Sequence, residues 1–354
     1  MKIVKKIIFS LIITVFGIVS LNGFCALGEW FAYGAFYEQD RPKGLYLHKE
    51  GSRPKLKPNA ELNGWMYKIS INSLGFRGAE LSNQKPHNGL RIWCIGGSTT
   101  FDIYASSNEA TWPAILEKNL QSAFPDKAVE VVNAGIPGEI LRGSLSDFKE
   151  YQRQIQPDYV VIYHGPNDLR EVVAPPPNAP GSAPTKPPDE GFIHELLGRQ
   201  EYALFRVIKR TIAPLRPLQK DWESNRITNN QLKDLYNRNQ QFVRFAKQNR
   251  VVPVIATHAL RAQNGDEGEV ARERVAETSQ LLRMYPKQAI EAFEEYNKML
   301  GNLARSNNLP FADVRSAISA DSSYWGDSTH FIDAGSVLAG ETIAKAIINH
   351  VQSK

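Results

Sequence analysis

From Leu90 onward the chain alternates two apolar patterns: short unbroken runs, and longer stretches in which apolar residues recur every three or four positions. The unbroken runs cover residues 90–96, 129–133, 158–163 and 251–257, with a shorter one at 309–314. They are rich in Val, Ile and aromatic residues, which predicts buried strands. The periodic stretches cover residues 112–123, where Trp112, Ile115, Leu116 and Leu120 share a face, and then residues 141–154, 288–306 and 334–351. These are predicted helices. Strands buried on both sides and separated by helices predict a parallel sheet with helices on both faces, an α/β fold.

The rhythm is absent before Leu90. Residues 7–28 form a run without charge that, at ~1.5 Å per residue in a helix, reaches across a ~30 Å hydrocarbon core. Lys2, Lys5 and Lys6 precede it and Glu29, Glu38 and Asp40 follow it. The run reads as a signal peptide or a membrane anchor, and the anchor is favoured because Leu21-Asn22-Gly23-Phe24-Cys25-Ala26-Leu27 lacks an A-x-A-like cleavage site. The positive-inside rule then leaves the N-terminus cytoplasmic and the remainder extracytoplasmic, periplasmic or on the cell surface. Residues 29–88 read as a stalk or a flap, with a half-buried strand where Tyr67, Ile69 and Ile71 alternate with polar residues, and a structural turn at residues 72–78. Residues 89–354 form the main domain. Within it residues 174–250 read as an insertion: seven prolines between Ala174 and Gly191 exclude helix and strand, and amphipathic stretches at 192–211 and 229–248 are expected to cap the crevice beside the sheet.

With 42% hydrophobic residues the 354-residue chain is not disordered throughout. The net charge of +5 lies mostly in the three N-terminal lysines, and the remaining basic residues nearly balance the 37 acidic ones. No general basic field remains for a nucleic acid. Cys25 falls in the apolar run and Cys94 in a strand, so no internal disulfide is expected.

The chemistry-bearing residues follow the strands. Gly96-Gly97-Ser98-Thr99 ends the first strand, Ala134-Gly135 the second, and His164-Gly165-Pro166-Asn167-Asp168 the third; Asp327-Ser328-Thr329-His330 precedes the last helix. In an open parallel sheet these positions line one crevice at the carboxyl ends of the strands. Ester cleavage requires a hydroxyl nucleophile, a base, a group that orients the base, and donors for an oxyanion. Ser98, His330 and Asp327 supply the first three. The N–H groups of Ser98 and Gly135 and the side-chain amide of Asn167 supply the donors. His164 and His258, also at strand ends, are weighed as pocket lining. No histidine pair has zincin spacing, the lysine of a phosphate-binding P-loop is absent, and Thr100 stands where a nucleophile elbow needs its second glycine. No cofactor or metal is expected.

In order and spacing the four blocks resemble those of the SGNH or GDSL hydrolases, from about Leu90 to the C-terminus, and residues 72–78 resemble a segment found ahead of the serine in membrane-anchored bacterial members. Gly97 departs from the pattern by replacing the aspartate of the first block. The resemblance implies a three-layer α/β/α fold on a flavodoxin-like parallel sheet, behind the N-terminal transmembrane helix, and a serine ester hydrolase. The expected substrates are acylated carbohydrate or lipid esters, foremost O-acetyl esters of envelope carbohydrate; an O-acyltransferase using the same triad and a non-catalytic envelope scaffold are the alternatives.

Overall fold

The computed structural model describes residues 2–38, 41–47, 53, 55–173, 203–212 and 218–353. The proline-rich segment and residues 192–202 of the first amphipathic stretch lie outside them. Five strands form the main sheet: β1 (Leu90–Gly96), β2 (Val129–Gly135), β3 (Tyr159–Tyr163), β4 (Val252–Ala256) and β5 (Phe311–Ala312). All its pairings are parallel and the spatial order is 2-1-3-4-5, the flavodoxin-like arrangement. The chain leaves β1 for the β2 edge and returns to β3 on the other side. The switch point therefore lies between β1 and β3, where Gly96 stands beside both Gly135 and Tyr163.

Among the described residues the helices longer than one turn are, in chain order, α1 (Lys2–Tyr33), α2 (Trp112–Ala123), α3 (Leu141–Ile155), α4 (Pro166–Val173), α5 (Ala203–Ile212), α6 (Asn229–Gln248), α7 (Gly268–Arg274), α8 (Ala276–Leu282), α9 (Pro286–Asn307) and α10 (Asp333–Gln352). The period of two in β1 separates the layers. Trp93 and Ile95 pack with Phe148 of α3, Phe242 of α6 and Phe293 of α9, while Ile92 and Cys94 pack with Trp112 of α2 and Ile343 of α10. Truncating a side chain as buried as Trp93 costs ~3–5 kcal/mol.

One expectation changes here. The 229–248 stretch is not a cap over the crevice: Leu235, Phe242 and Val243 are fully buried, so its apolar face belongs to a sheet-covering layer. The charged stretch after β4 contains the short helices α7 and α8. The capping box between Thr228 and Gln231 starts α6 where sequence periodicity placed it.

The long apolar helix α1 continues to Tyr33, past the boundary expected at Gly28. It is long and apolar enough to cross a membrane. Among the described residues the segment that follows it packs back onto α1 and the main domain. A hairpin pairs Glu61–Asn63 with Lys68–Ser70, and its tip folds onto the end of α1. There Trp65 N–H donates to Phe31 O at 2.8 Å and Tyr67 N–H to Ala32 O at 3.1 Å, which satisfies carbonyls that a helix end otherwise leaves open. The Trp65 and Phe31 rings stack with centroids 5.5 Å apart. Helix α5 packs along α1 as well, with Arg206 Nε donating to Glu29 Oε1 at 2.9 Å and Leu204 N–H to Asn22 Oδ1 at 3.1 Å. The extension's own small core, including Leu45, Leu56, Leu62 and Ile69, closes on Phe101, three residues after Ser98.

Candidate active site

Ser98 opens a one-turn helix, Ser98–Phe101, directly after β1. Its Oγ lies 2.7 Å from His330 Nε2, and His330 Nδ1 lies 2.7 Å from Asp327 Oδ2. The other oxygen of Asp327 accepts from the N–H groups of Thr329 and His330, both at 2.9 Å, so the carboxylate is fixed by the same turn that carries the imidazole. Burial disfavours the imidazolium of His330. The charge and hydrogen bond of Asp327, with smaller contributions from Asp102 and Glu277, outweigh burial and raise the pKa above its ordinary 6.5. Burial pushes the Asp327 carboxyl up, but His330 and the two backbone donors prevail and hold it below the usual carboxylate range.

Asn167 begins the third strand's helix, α4, and its amide nitrogen donates to Glu139 O at 3.0 Å. A Cβ at position 97 would stand 2.7 Å from that nitrogen. Glycine in place of the expected aspartate thus has a steric reason: it lets Asn167 close on the turn that carries Ser98. One amide hydrogen remains beyond the Glu139 bond.

Gly135 does not fill the predicted role. Its N–H donates to Asn133 Oδ1 at 3.1 Å, and a Cβ there would lie 2.0 Å from Phe101 N, so this glycine allows β2 and the Ser98 turn to pack. Gly138 takes the exposed position three residues on. Glu139 N–H donates to Ile136 O at 2.9 Å, Pro137 occupies the second place of that turn, and Gly138 the third with φ +85°, a type II turn. Among the described residues the Gly138 N–H has no protein acceptor. Asn167 stands beside Gly97 and binds Glu139, the chain neighbours of Ser98 and Gly138. The Pro137-Gly138 pair was the available signal in the sequence.

The two strand-end histidines do not line an open pocket. His164 is buried between Asp168 Oδ2 and Ser144 Oγ, each at 3.0 Å, and Asp168 Oδ1 accepts from Leu141 N–H at the start of α3. It ties α3 to α4. His258 is fully buried beneath the nucleophile turn, stacked on Tyr163 at 4.7 Å, and burial pushes its pKa down to about 3. The neutral ring donates from Nδ1 to Ala259 O at 2.9 Å and accepts at Nε2 from the Thr99 hydroxyl at 3.2 Å.

Contributions from outside the four blocks were not anticipated. Arg77, in the segment read as a structural turn, is buried and donates to the carbonyls of Phe101, Asp102, Ala105 and Ser107, which fastens the loop after Ser98. Asp102 ends the nucleophile turn in the left-handed region and accepts from Trp112 N–H and Ser336 Oγ at 2.9 and 2.7 Å. Burial raises its pKa to about 6. Arg53 of the N-terminal extension pairs with Glu139 at 3.0 Å and Asp147 at 2.9 Å, bracing the loop that carries Gly138. Among the described residues no group of acidic, histidine and cysteine side chains is arranged to hold a metal.

A parallel sheet of order 2-1-3-4-5 with a serine, a histidine and a carboxylate hydrogen-bonded in series at its switch point defines an ester-cleaving serine hydrolase. Residues 94–338 match the model of the GDSL-like lipase/acylhydrolase family. The chain belongs to that family and is a serine esterase. No curated protein matches it. Among solved structures it is similar to an acetylxylan esterase from Geobacillus stearothermophilus, with 15% identity, a TM-score of 0.43, and coverage of 75% of this chain and 96% of that one. It is also similar to an alpha/beta hydrolase from the metagenome of Lake Arreo, Spain, with 16% identity, a TM-score of 0.44, and coverage of 75% and 95%.

Proposed function

We propose that the protein is a membrane-anchored, extracytoplasmic esterase that removes O-acetyl groups from envelope carbohydrate, with Ser98 as nucleophile, His330 as general base and acid, and Asp327 as the group that orients the imidazole. The observation that carries this reading is the hydrogen-bonded series Ser98 Oγ, His330 and Asp327, with both links at 2.7 Å. The Asp327 bond places the proton of neutral His330 on Nδ1 and leaves Nε2 free to accept from Ser98. As Oγ attacks the ester carbonyl, its proton passes to Nε2. The carbonyl oxygen gathers negative charge opposite the N–H groups of Ser98 and Gly138 and the Asn167 amide. Collapse breaks the bond to the alcohol oxygen, which takes the proton from Nε2, and the acetyl group remains on Ser98. A water molecule then repeats the sequence and releases acetate, restoring the serine.

The lysines ahead of α1 and the acidic residues after it support an extracytoplasmic domain. One experiment tests class and side together: a membrane-impermeant fluorophosphonate applied to cells with the inner membrane intact and exposed. Labelling of the native chain, lost in Ser98→Ala, is the expected outcome. Labelling only after lysis places the domain inside, and none under either condition overturns the nucleophile assignment.

A further inference from the structure

The family match begins at residue 94, yet the cavity beside the catalytic turn is walled largely by residues that precede it. This cavity, of about 360 Å³, is lined by Tyr33 at the end of α1, by Tyr37, Arg41 and Tyr46 of the extension, and by Tyr104 and Gly138 of the main domain. The last two fix its relation to the chemistry. Tyr104 meets the His330 ring edge-on with centroids 5.8 Å apart, and Gly138 presents the amide assigned above to the oxyanion. In ester cleavage the leaving alcohol takes its proton from the histidine, so it departs on the His330 flank, where Tyr104 stands.

The geometry points to a binding subsite for the alcohol part of the ester, built by the N-terminal extension and shaped for a saccharide ring, with a preference for one bearing a negative charge. This assignment rests on the esterase reading. The volume is near the lower end of the ~300–1,000 Å³ typical of small-molecule sites and is enough for a compact ring. Four of the lining residues are tyrosines, which offer a flat apolar face with a hydroxyl at the rim, the complement of a sugar's C–H face and hydroxyl edge. The surrounding packing holds this wall in place: Tyr33 stacks on Tyr67 at 4.6 Å and meets Tyr37 edge-on at 5.3 Å, while Tyr46 is buried beneath the Arg41 guanidinium, 4.6 Å from its ring centre. Among the described lining residues Arg41 is the one charged group. It favours an anionic sugar over a neutral one, and a cationic sugar least.

The test uses the full-length chain in detergent with three substrates: 4-nitrophenyl acetate, an acetylated neutral oligosaccharide and an acetylated oligouronate. Tyr37→Ala is expected to lower the ratio of kcat/KM for either saccharide to that for nitrophenyl acetate at least tenfold, through KM, and Tyr37→Phe to restore most of it. Arg41→Ala is expected to abolish the preference for the oligouronate. Unchanged ratios, within twofold, in both alanine variants overturn the subsite. Titration of Ser98→Ala with each saccharide separates this result from failure of the chemistry. Binding that weakens with Tyr37→Ala, in a protein whose native form cleaves no ester, sinks the esterase reading and leaves the subsite standing. Binding indifferent to both Tyr37 and Arg41 sinks the subsite whatever the enzyme cleaves.

Discussion

Two imidazoles flank the nucleophile turn, and their surroundings give them opposite properties. His330 is half-buried, shares a turn with a carboxylate, and has its pKa raised; His258 is fully buried against Tyr163, without a carboxylate partner, and its pKa falls to about 3. The first faces the serine hydroxyl and is oriented to take its proton. The second stays neutral and braces Thr99. Proximity to Ser98 therefore does not make a base; a paired carboxylate and an approach to Oγ do.

Removing the partners of the first imidazole should have the largest effect. Ser98→Ala and His330→Ala are each expected to lower kcat by roughly 10⁴–10⁶-fold, and the double change by little more, because the groups act as one unit. Asp327→Asn should cost less than either. Steady-state hydrolysis of 4-nitrophenyl acetate measures all of these, and a Ser98→Ala protein that keeps native activity breaks the comparison at its root.

Next come the oxyanion donors. Asn167→Ala should lower kcat by roughly 10²–10³-fold with little change in KM, since the bond strengthens as charge develops. Gly135→Ala and Gly138→Ala should separate by readout. The first forces Cβ against Phe101 and should lower the melting temperature most. The second has open space and should act mainly on kcat, beyond the ~1–2 kcal/mol that a left-handed alanine costs. The reverse pattern, measured by thermal unfolding and kinetics, would return the donor role to Gly135.

Lowering pH should switch the two histidines in different ways. Activity should fall through an apparent pKa above 6.5, because only neutral His330 accepts the serine proton, and Asp327→Asn should move that limb downward by removing the charge that raises it. Stability answers to His258. Its folded pKa lies below the unfolded one, so its contribution is fully present above about 6.5 and is lost as pH falls toward about 3, where the unfolded chain binds a proton that the folded ring refuses. His258 by itself contributes a slope of up to ~1.4 kcal/mol per pH unit inside that window, and the raised pKa of Asp102 offsets it between about 6 and 3.8.

The smallest kinetic effect belongs to His258→Phe, which keeps the stacked ring and removes the Thr99 bond. A three- to tenfold loss of kcat is expected, together with a flatter acid dependence of denaturant midpoints. A loss as large as that of His330→Ala would mean that His258 takes part in the proton transfer.

Much of this site was legible because strand ends in a parallel sheet must converge. Ser98, Asn167, Asp327 and His330 each follow a strand or precede a helix, and that placement gathers them at one end of the sheet. Gly135 was misread because two glycines, Gly135 and Gly138, lie within four residues at the end of β2, and only the partner of each N–H tells them apart. His164 and His258 share the same strand-end position as Asn167, yet the direction of a side chain there depends on helices packed from distant parts of the chain. The extension's part in the site rests on contacts across long separations, Arg53 to Glu139 and Arg77 to the loop after Phe101, which no local pattern encodes. Residues 229–248 looked like a cap because an amphipathic face declares that it is buried and not against what.

The hairpin tip that seals the carbonyls of Phe31 and Ala32 turns α1 and the hydrolase domain into one lever rather than a ball on a string. On the proposed anchoring of α1 in a bilayer, the catalytic edge would keep a set height above the membrane plane and sweep only with the tilt of the helix. Reach would then be a form of selectivity: of chemically identical esters along the proposed envelope polymer, those at that height would be cleaved and those beyond it spared.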